Sequence, residues 1–529
     1  MKMFATIPGF LVACVRIALI LQLGCASLQP TGGDIEPIAP VQAPFPFPRL
    51  DRPTIPGRWF DIREYGALEG GEVKVTASIR KALDAASRDG GGNILIPPGR
   101  WLTGAIQLEN NTALYVSRGA ELLFSQDPTD YLPAVFSRHE DVECYKYSAF
   151  IYAEGKENIA ILGGGVLNGQ GRPWWDWKSS KIDLEKELYA MAERGIPAEK
   201  RVFDGTNGRA LRPAFFQPMN CRNILVEGVT FLYGAFWTIT PTYCENVIVR
   251  RVRIQTEGEY GHTPNGDGVD PSSCRNVLIE HCEFDTGDDC IAIKAGRDAD
   301  GLLVNRPTEN VVIRHCKGLQ GHGGVVLGSE TSGSIRNVYA YDCEFKGTDR
   351  IVRLKSARGR GGVLENLWFR GMRGDRIGKE ALHLNLLYTG SRYPAQPVDR
   401  TTPVFRNIHF ADVTMTNGKG YGIEILGLPE MPVQDVTFDS IRIEGKMGIH
   451  SVDARKIRLD AISISTSSSP VILLEDVVDF SLGRCRLEGE RAAVVRIEGA
   501  RSRDITLPGS LPSVSLGKNV TPGAVRIRE

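Results

Sequence analysis

Past its first 26 residues the chain has no apolar run approaching the ~20 residues that a membrane-spanning helix needs. It has no net charge either: 63 basic and 63 acidic side chains cancel, leaving no overall attraction for nucleic acid. Its eleven cysteines form no CxxC pair and lack histidine partners at zinc spacing, so they define neither a metal site nor a disulfide pairing. Low hydrophobicity with excess charge, the mark of disorder, is missing as well, since 42% of residues are hydrophobic.

An export signal is present. In MKMFATIPGFLVACVRIALILQLGCAS, Lys2 and Arg16 precede the apolar run Ile17 to Leu23, and small residues follow. Residues 1–26 therefore read as a signal peptide, and the rest of the chain as an exported protein, periplasmic or extracellular, with no membrane span. Cys25 after Gly24 also fits a lipoprotein site, although Gln22 stands where leucine is usual, so a lipid anchor at Cys25 is left open. Residues 27–57 are proline-rich (QAPFPFPRLDRP) and are expected to form an extended linker. Residues 58–529, rich in glycine, are expected to form one long domain.

A phrase recurs through that domain: CRNILVEGVTF (221–231), CENVIVRRVRI (244–254), CRNVLIEHCEF (274–284), TENVVIRHCKG (308–318) and IRNVYAYDCEF (335–345). FRNIHFADVTM (405–415) and VQDVTFDSIRI (433–443) continue it. Each copy is a turn with Asn followed by alternating apolar positions, the period-two signature of a strand. The Asn residues at 223, 246, 276, 310, 337, 366 and 407 are spaced by 23, 30, 34, 27, 29 and 41 residues, as in a solenoid. Units this small bury their apolar face only by stacking. Without helices between the strands, the expected fold is all-β, a parallel β-helix, and the short uneven period disfavours a propeller. The recurring Asn residues then stack as an amide ladder with a structural role.

Rungs about 4.8 Å apart turn residues one coil apart into neighbours. Counting along the chain, Asp267 leads after 21 residues to Asp288–Asp289, then after 34 to His322, then after 31 to Arg353, with Lys355 beside it. Four coils thus place Asp, Asp-Asp, His and Arg-x-Lys along one stripe. Adjacent strand residues face opposite ways, so one of Asp288 and Asp289 points inward, where an unpaired charge is costly. Gly287 is expected to bend the strand so that both carboxylates reach a cleft, with Gly321 and Gly323 giving tight backbone approach around His322. Crowded carboxylates separate their pKa values, which suits cleavage of a glycosidic bond with one acid and one water-activating base. The cations point to an anionic sugar.

These residues resemble the polygalacturonases, glycoside hydrolase family 28. Asn265-Gly266-Asp267, Asp288-Asp289, Gly321-His322-Gly323 and Arg353-Leu354-Lys355 match the family's Asn-Thr-Asp, Asp-Asp, Gly-His-Gly and Arg-Ile-Lys. Only the uncharged Gly266 and Leu354 differ. The likeness runs from FDIREYGA (60–67) to about residue 450. It implies a right-handed β-helix that hydrolyses α-1,4 galacturonide links with inversion, without metal or cofactor and as a monomer. Carried over by position, Asp288 is the general acid, Asp267 and Asp289 hold and activate water, and His322 supports the acid. Arg353, Lys355, Asn265 and Tyr388 (in LHLNLLY) bind the substrate.

Residues 173–213 form an insert in which Trp174, Trp175 and Trp177 are either a sugar platform or anchors. With the 255–264 loop, the insert is expected to wall one end of the cleft and favour exo action. Three rivals are a calcium-dependent pectate lyase, for which GRDADG (296–301) could offer ligands, a non-catalytic polysaccharide-binding β-helix, and a hydrolase of rhamnogalacturonan.

Overall fold

The computed structural model describes residues 36–259, 261–489, 494–511 and 513–528. The expected signal, with Cys25, lies outside them. Residues 36–39 have no regular structure, and the body of the protein runs from Pro40 to Glu529. Among the described residues no helix is long and apolar enough to cross a membrane.

The body is a right-handed parallel β-helix whose coils hydrogen-bond into one 33-stranded sheet. One stack of strands holds Glu157–Gly163, Arg222–Glu227, Glu245–Arg250, Arg275–Glu280, Thr308–Arg314 and Ile335–Tyr341. A second holds Thr230–Leu232, Arg253–Gln255 and Glu283–Asp285. A third, which carries the site, holds Ile291–Ile293, Val325–Gly328, Val352–Lys355 and Leu382–Asn385. Inward positions of the coils are mostly Ile, Val, Leu, Phe or Cys, and they merge into one continuous core. Along the solenoid wall successive coils pair with one another, which covers most of their sheet edges. At the first coils the amphipathic helix Thr76–Arg88 lays Ile79, Ala82, Leu83 and Ala86 over the core.

Register is set by ladders. Asn158, Asn223, Asn246, Asn276, Asn310, Asn337, Asn366 and Asn407 each donate a side-chain amide hydrogen bond to the Asn one coil earlier, the row starting at Asn111. All nine hold φ between 53° and 60°, a left-handed turn that Asn tolerates better than most residues. Beside them runs a charge ladder in which Arg222, Glu245, Arg275, Glu309, Arg336, Glu365 and Arg406 alternate in register. A slip of one coil would set like charges side by side. All cysteines in the described body are free thiols, eight of them buried.

The proline-rich segment departs from the expected linker over residues 40–57. It has no regular structure, yet it lies against the solenoid instead of swinging free. Arg52 pairs with Glu227, Phe45 packs on Trp368 with ring centres 5.7 Å apart, and Arg314 donates to the Pro40 carbonyl at 3.3 Å. The reason is a second, inner charge ladder, Glu227–Arg250–Glu280–Arg314, with contacts of 2.9, 2.7 and 2.7 Å. Buried charges need partners at both ends of such a row, and the segment supplies them.

Candidate active site

In the third stack Ile239, Val269, Ile291, Val325, Val352 and Leu382 pair in sequence, one per coil. Asp267 and Asp289 each stand two residues before this row, so they are stacked neighbours. Asp288 lies over His322, as the 34-residue step between Ile291 and Val325 requires. The next coil is 27 residues long, Val325 to Val352. The 31-residue step to Arg353 thus overshoots: Arg353 pairs with Val326, four positions beyond His322 along the strand. The expected stripe is therefore a patch two-dimensional in extent. Its cleft of about 390 Å³ still gathers Asn265, Asp267, Asp288, His322, Arg353, Lys355 and Tyr388.

One side-chain oxygen from each of Asp267, Asp288 and Asp289 lies within 4.8 Å of the other two. The inward-facing member of the adjacent pair is Asp289, fully buried, and the Lys355 ammonium meets it at 2.7 Å. Lys355 was expected on a substrate carboxylate. It lines the cleft, but it is only 6% exposed and its ammonium is engaged by Asp289. Asp288 faces the cleft, where its Oδ1 accepts from the Asp289 N–H at 2.9 Å and meets His322 Nδ1 at 3.0 Å. Gly287 does not supply a bend through unusual backbone angles. A Cβ there would strike the Thr263 carbonyl at 2.7 Å, so the glycine makes room for the 262–263 loop.

Electrostatics separate Asp267 from Asp288. Burial, then the charges of Asp288 and Asp270, push Asp267 well above the usual carboxylate range. Burial acts the same way on Asp288, but the His322 hydrogen bond and the Lys355 charge override it and hold the carboxyl at about 2. His322 is raised in return by that hydrogen bond, against its own burial. These shifts favour the protonated form of Asp267 and of His322 and the ionised form of Asp288, the reverse of what an acid role for an isolated Asp288 would suggest.

Arg353 is half-buried and makes no ion pair among the described residues. Its guanidinium lies 5.2 Å from the centre of the Tyr388 ring, which leaves it directed at the cleft for an anion. Asn265 is fixed by Arg212, which donates to Asn265 Oδ1 and to the Pro264 carbonyl, both at 2.7 Å. An arginine only donates, so the Asn265 amide N–H₂ must face away from it.

Lys294, Glu330 and Trp237 are among the site residues that escaped the sequence reading. Lys294 lies 3.7 Å from Asp267, 3.3 Å from Glu330 and 4.3 Å from the centre of the Trp237 ring. Burial lowers its pKa, but Glu330, Asp267 and Asp270 outweigh that and raise it strongly. One signal was available: Lys294 stands three residues after Ile291 just as Lys355 stands three after Val352, so both mark the same position in their coils.

The tryptophans of the insert are anchors. Trp174 is buried against Tyr131, Phe150 and Trp177, and Trp175 donates to the Gly234 carbonyl at 3.0 Å. GRDADG opens the helix Asp298–Val304, and its carboxylates are engaged by protein: Asp300 by Arg201 at 2.5 Å and the Glu143 N–H at 3.0 Å, Asp298 by Arg360 at 3.0 Å. In the aspartate trio, Asp267 likewise faces the Lys294 ammonium at 3.7 Å and Asp289 that of Lys355 at 2.7 Å. A second cluster, Glu380, His383 and Glu424, has its histidine held by Arg350 at 3.1 Å and Glu424 at 3.2 Å. Neither donor set calls for a metal.

Comparison with known proteins agrees with this geometry. Residues 201–463 match the model for glycosyl hydrolases family 28. The chain is 26% identical to a probable polygalacturonase of Vitis vinifera over 82% of its own length and 84% of that protein. It is 30% identical to an exo-poly-alpha-D-galacturonosidase of Dickeya chrysanthemi over 69% and 64% of the two chains. The crystal structure of an exopolygalacturonase from Thermotoga maritima superposes with a TM-score of 0.71 at 36% identity, covering 78% of this chain and 93% of that one. By fold, by matched sequence and by likeness to that structure, the chain belongs to glycoside hydrolase family 28.

Proposed function

We propose that the protein hydrolyses α-1,4 bonds between galacturonic acid residues of pectin, with inversion and from a chain end. The observation that carries this is the trio of clustered aspartates beside Arg353, which makes no ion pair among the described residues. The His322–Asp288 pair stores one proton, which Asp288 passes to the leaving glycosidic oxygen. Asp289, paired with Lys355, takes a proton from the attacking water, and Asp267 holds that water. Water oxygen bonds to the anomeric carbon as the glycosidic bond breaks. Arg353 takes the carboxylate of the sugar beside the cleaved bond, and Asn265 offers its amide hydrogens. A neutral sugar would leave Arg353 desolvated without an anion, which disfavours it.

Chain-end action is supported by the wall beside the acids. Lys178 of the insert, Glu140 and Arg297 line the same cleft, and Gly261 lies against the insert, where a side chain in its place would meet Trp175 at 3.4 Å. Two of the similar proteins are named as exo enzymes. Chromatography of products from polygalacturonate tests this: monomer or dimer from the first minutes is expected, and a broad early ladder of oligomers refutes it. The acids are closer than the ~6.5–9.5 Å usual for inverting pairs. Proton NMR during hydrolysis therefore decides the stereochemistry: the β-anomer is expected first, and the α-anomer would mean retention.

A further inference from the structure

The wall of the cleft is built at a strained turn. Strands Val135–His139 and Val142–Lys146 pair antiparallel and are joined by only Glu140 and Asp141, at φ 42° and 64°. Two-residue hairpins of this kind favour Asn-Gly, and two acidic residues there persist only if surrounding contacts hold them. Both are held. Asp141 is buried and accepts from Ser272 Oγ and the Gly296 N–H, each at 2.8 Å. Glu140 accepts from Tyr189 at 2.6 Å, from Arg297 at 2.6 Å and from Lys178 at 3.3 Å. One carboxylate thus ties together the hairpin, the insert and the segment that follows Lys294. Arg297 is also stacked 3.8 Å above the centre of the Tyr189 ring, which fixes the plane of its guanidinium.

Two of these groups open onto the catalytic cleft as cations, Lys178 and Arg297. Both cations share the Glu140 carboxylate, with longer contacts from Lys178 to Glu185 at 3.7 Å and from Arg297 to Asp298 at 3.4 Å. Nothing in the proposed chemistry uses Lys178 or Arg297.

We infer that Lys178 and Arg297, oriented by Glu140, are the recognition site for the carboxylate of the chain-terminal uronate. This rests on the exo reading above. Arg353 serves the carboxylate at the bond being cut, whereas Lys178 and Arg297 serve that of the end unit, so an anionic end is required and further chain is refused. Arg297 offers a planar fork and Lys178 a mobile point charge. Glu140 is a positioning residue that keeps both cations at the wall.

The test compares wild type with Lys178→Met and Glu140→Gln on trigalacturonate and on polygalacturonate. Lys178 is partly exposed, and its loss leaves the core intact. For Lys178→Met, KM on trigalacturonate is expected to rise about tenfold, with kcat changing by less than about threefold, because binding common to ground and transition states is lost. Glu140→Gln is expected to lengthen the products from polygalacturonate toward oligomers. Wild-type release of monomer or dimer, together with unchanged KM and unchanged products in both variants, overturns the inference and leaves the exo reading standing. A wild-type ladder of oligomers removes both.

Discussion

At the scale of single residues, the site divides one requirement between neighbours. Asp288 faces the cleft and Asp289 faces Lys355, so adjacent carboxylates on an extended chain reach two different environments. Asp288→Asn is expected to lower kcat by roughly 10²–10⁴-fold, the usual worth of a general acid. Its affinity for oligogalacturonate, read by calorimetry, should change little, since the amide keeps the shape. The pH profile follows from His322. Its pKa is raised above the ordinary 6.5 chiefly by the Asp288 hydrogen bond, so the pair loses its stored proton as pH climbs through that raised value. Activity should therefore fall on the alkaline side, with the optimum mildly acidic. In His322→Ala that limb of kcat/KM against pH should shift, because the proton would then be held by Asp288 alone; a limb that stays in place contradicts the storage role. The motif residues were legible in sequence because they come as fixed short phrases. Lys294, Trp237 and Glu330 were not, since a lone cation, indole or acid on a strand usually means an ordinary surface or core position.

At the scale of elements, the Asn ladder is the clearest case of a sequence pattern fixing geometry. Asn276 donates to Asn246 and accepts from Asn310 at 3.1 Å in both directions. Asn276→Ala loses both hydrogen bonds and places alanine at φ 59°, an expected cost of about 2–4 kcal/mol in urea unfolding. Asn276→Gly, which tolerates the turn, should recover the conformational part. Equal losses in the two variants would mean that the hydrogen bonds alone matter. Coils were readable because each repeats its neighbour. The hairpin at 135–146 and Arg212 were not, because they come from outside the repeat and join the site only through tertiary contacts. The 27-residue coil before Arg353 was misjudged for a related reason: motif-to-motif counting mixes strand and loop lengths, and only pairing separates them.

At the scale of the whole molecule, stability should depend on pH in a way set by buried acids. Burial opposes ionisation of Glu330 and Glu424, but Lys294 in the first case and hydrogen bonds from His383 and His450 in the second hold each at about 2. A lowered folded-state pKa gives stability above the ordinary value of 4.5 that is lost as pH falls toward 2. Asp267 and Asp270, raised chiefly by burial, act the other way and contribute stability that is lost as pH rises through their folded values. Thermal unfolding should thus be hardest at mildly acidic pH, and Glu330→Gln should lower Tm while flattening the acid side of the curve. A Tm that keeps climbing into alkaline solution would contradict this balance. The segment at residues 40–57 has its own consequence for the whole. It works as a gasket: trimmed away, it would leave Glu227 and Arg314 at the ends of the inner row open to counter-ions, so heat resistance that is indifferent to sodium chloride in the full chain should become salt-sensitive in the shortened one.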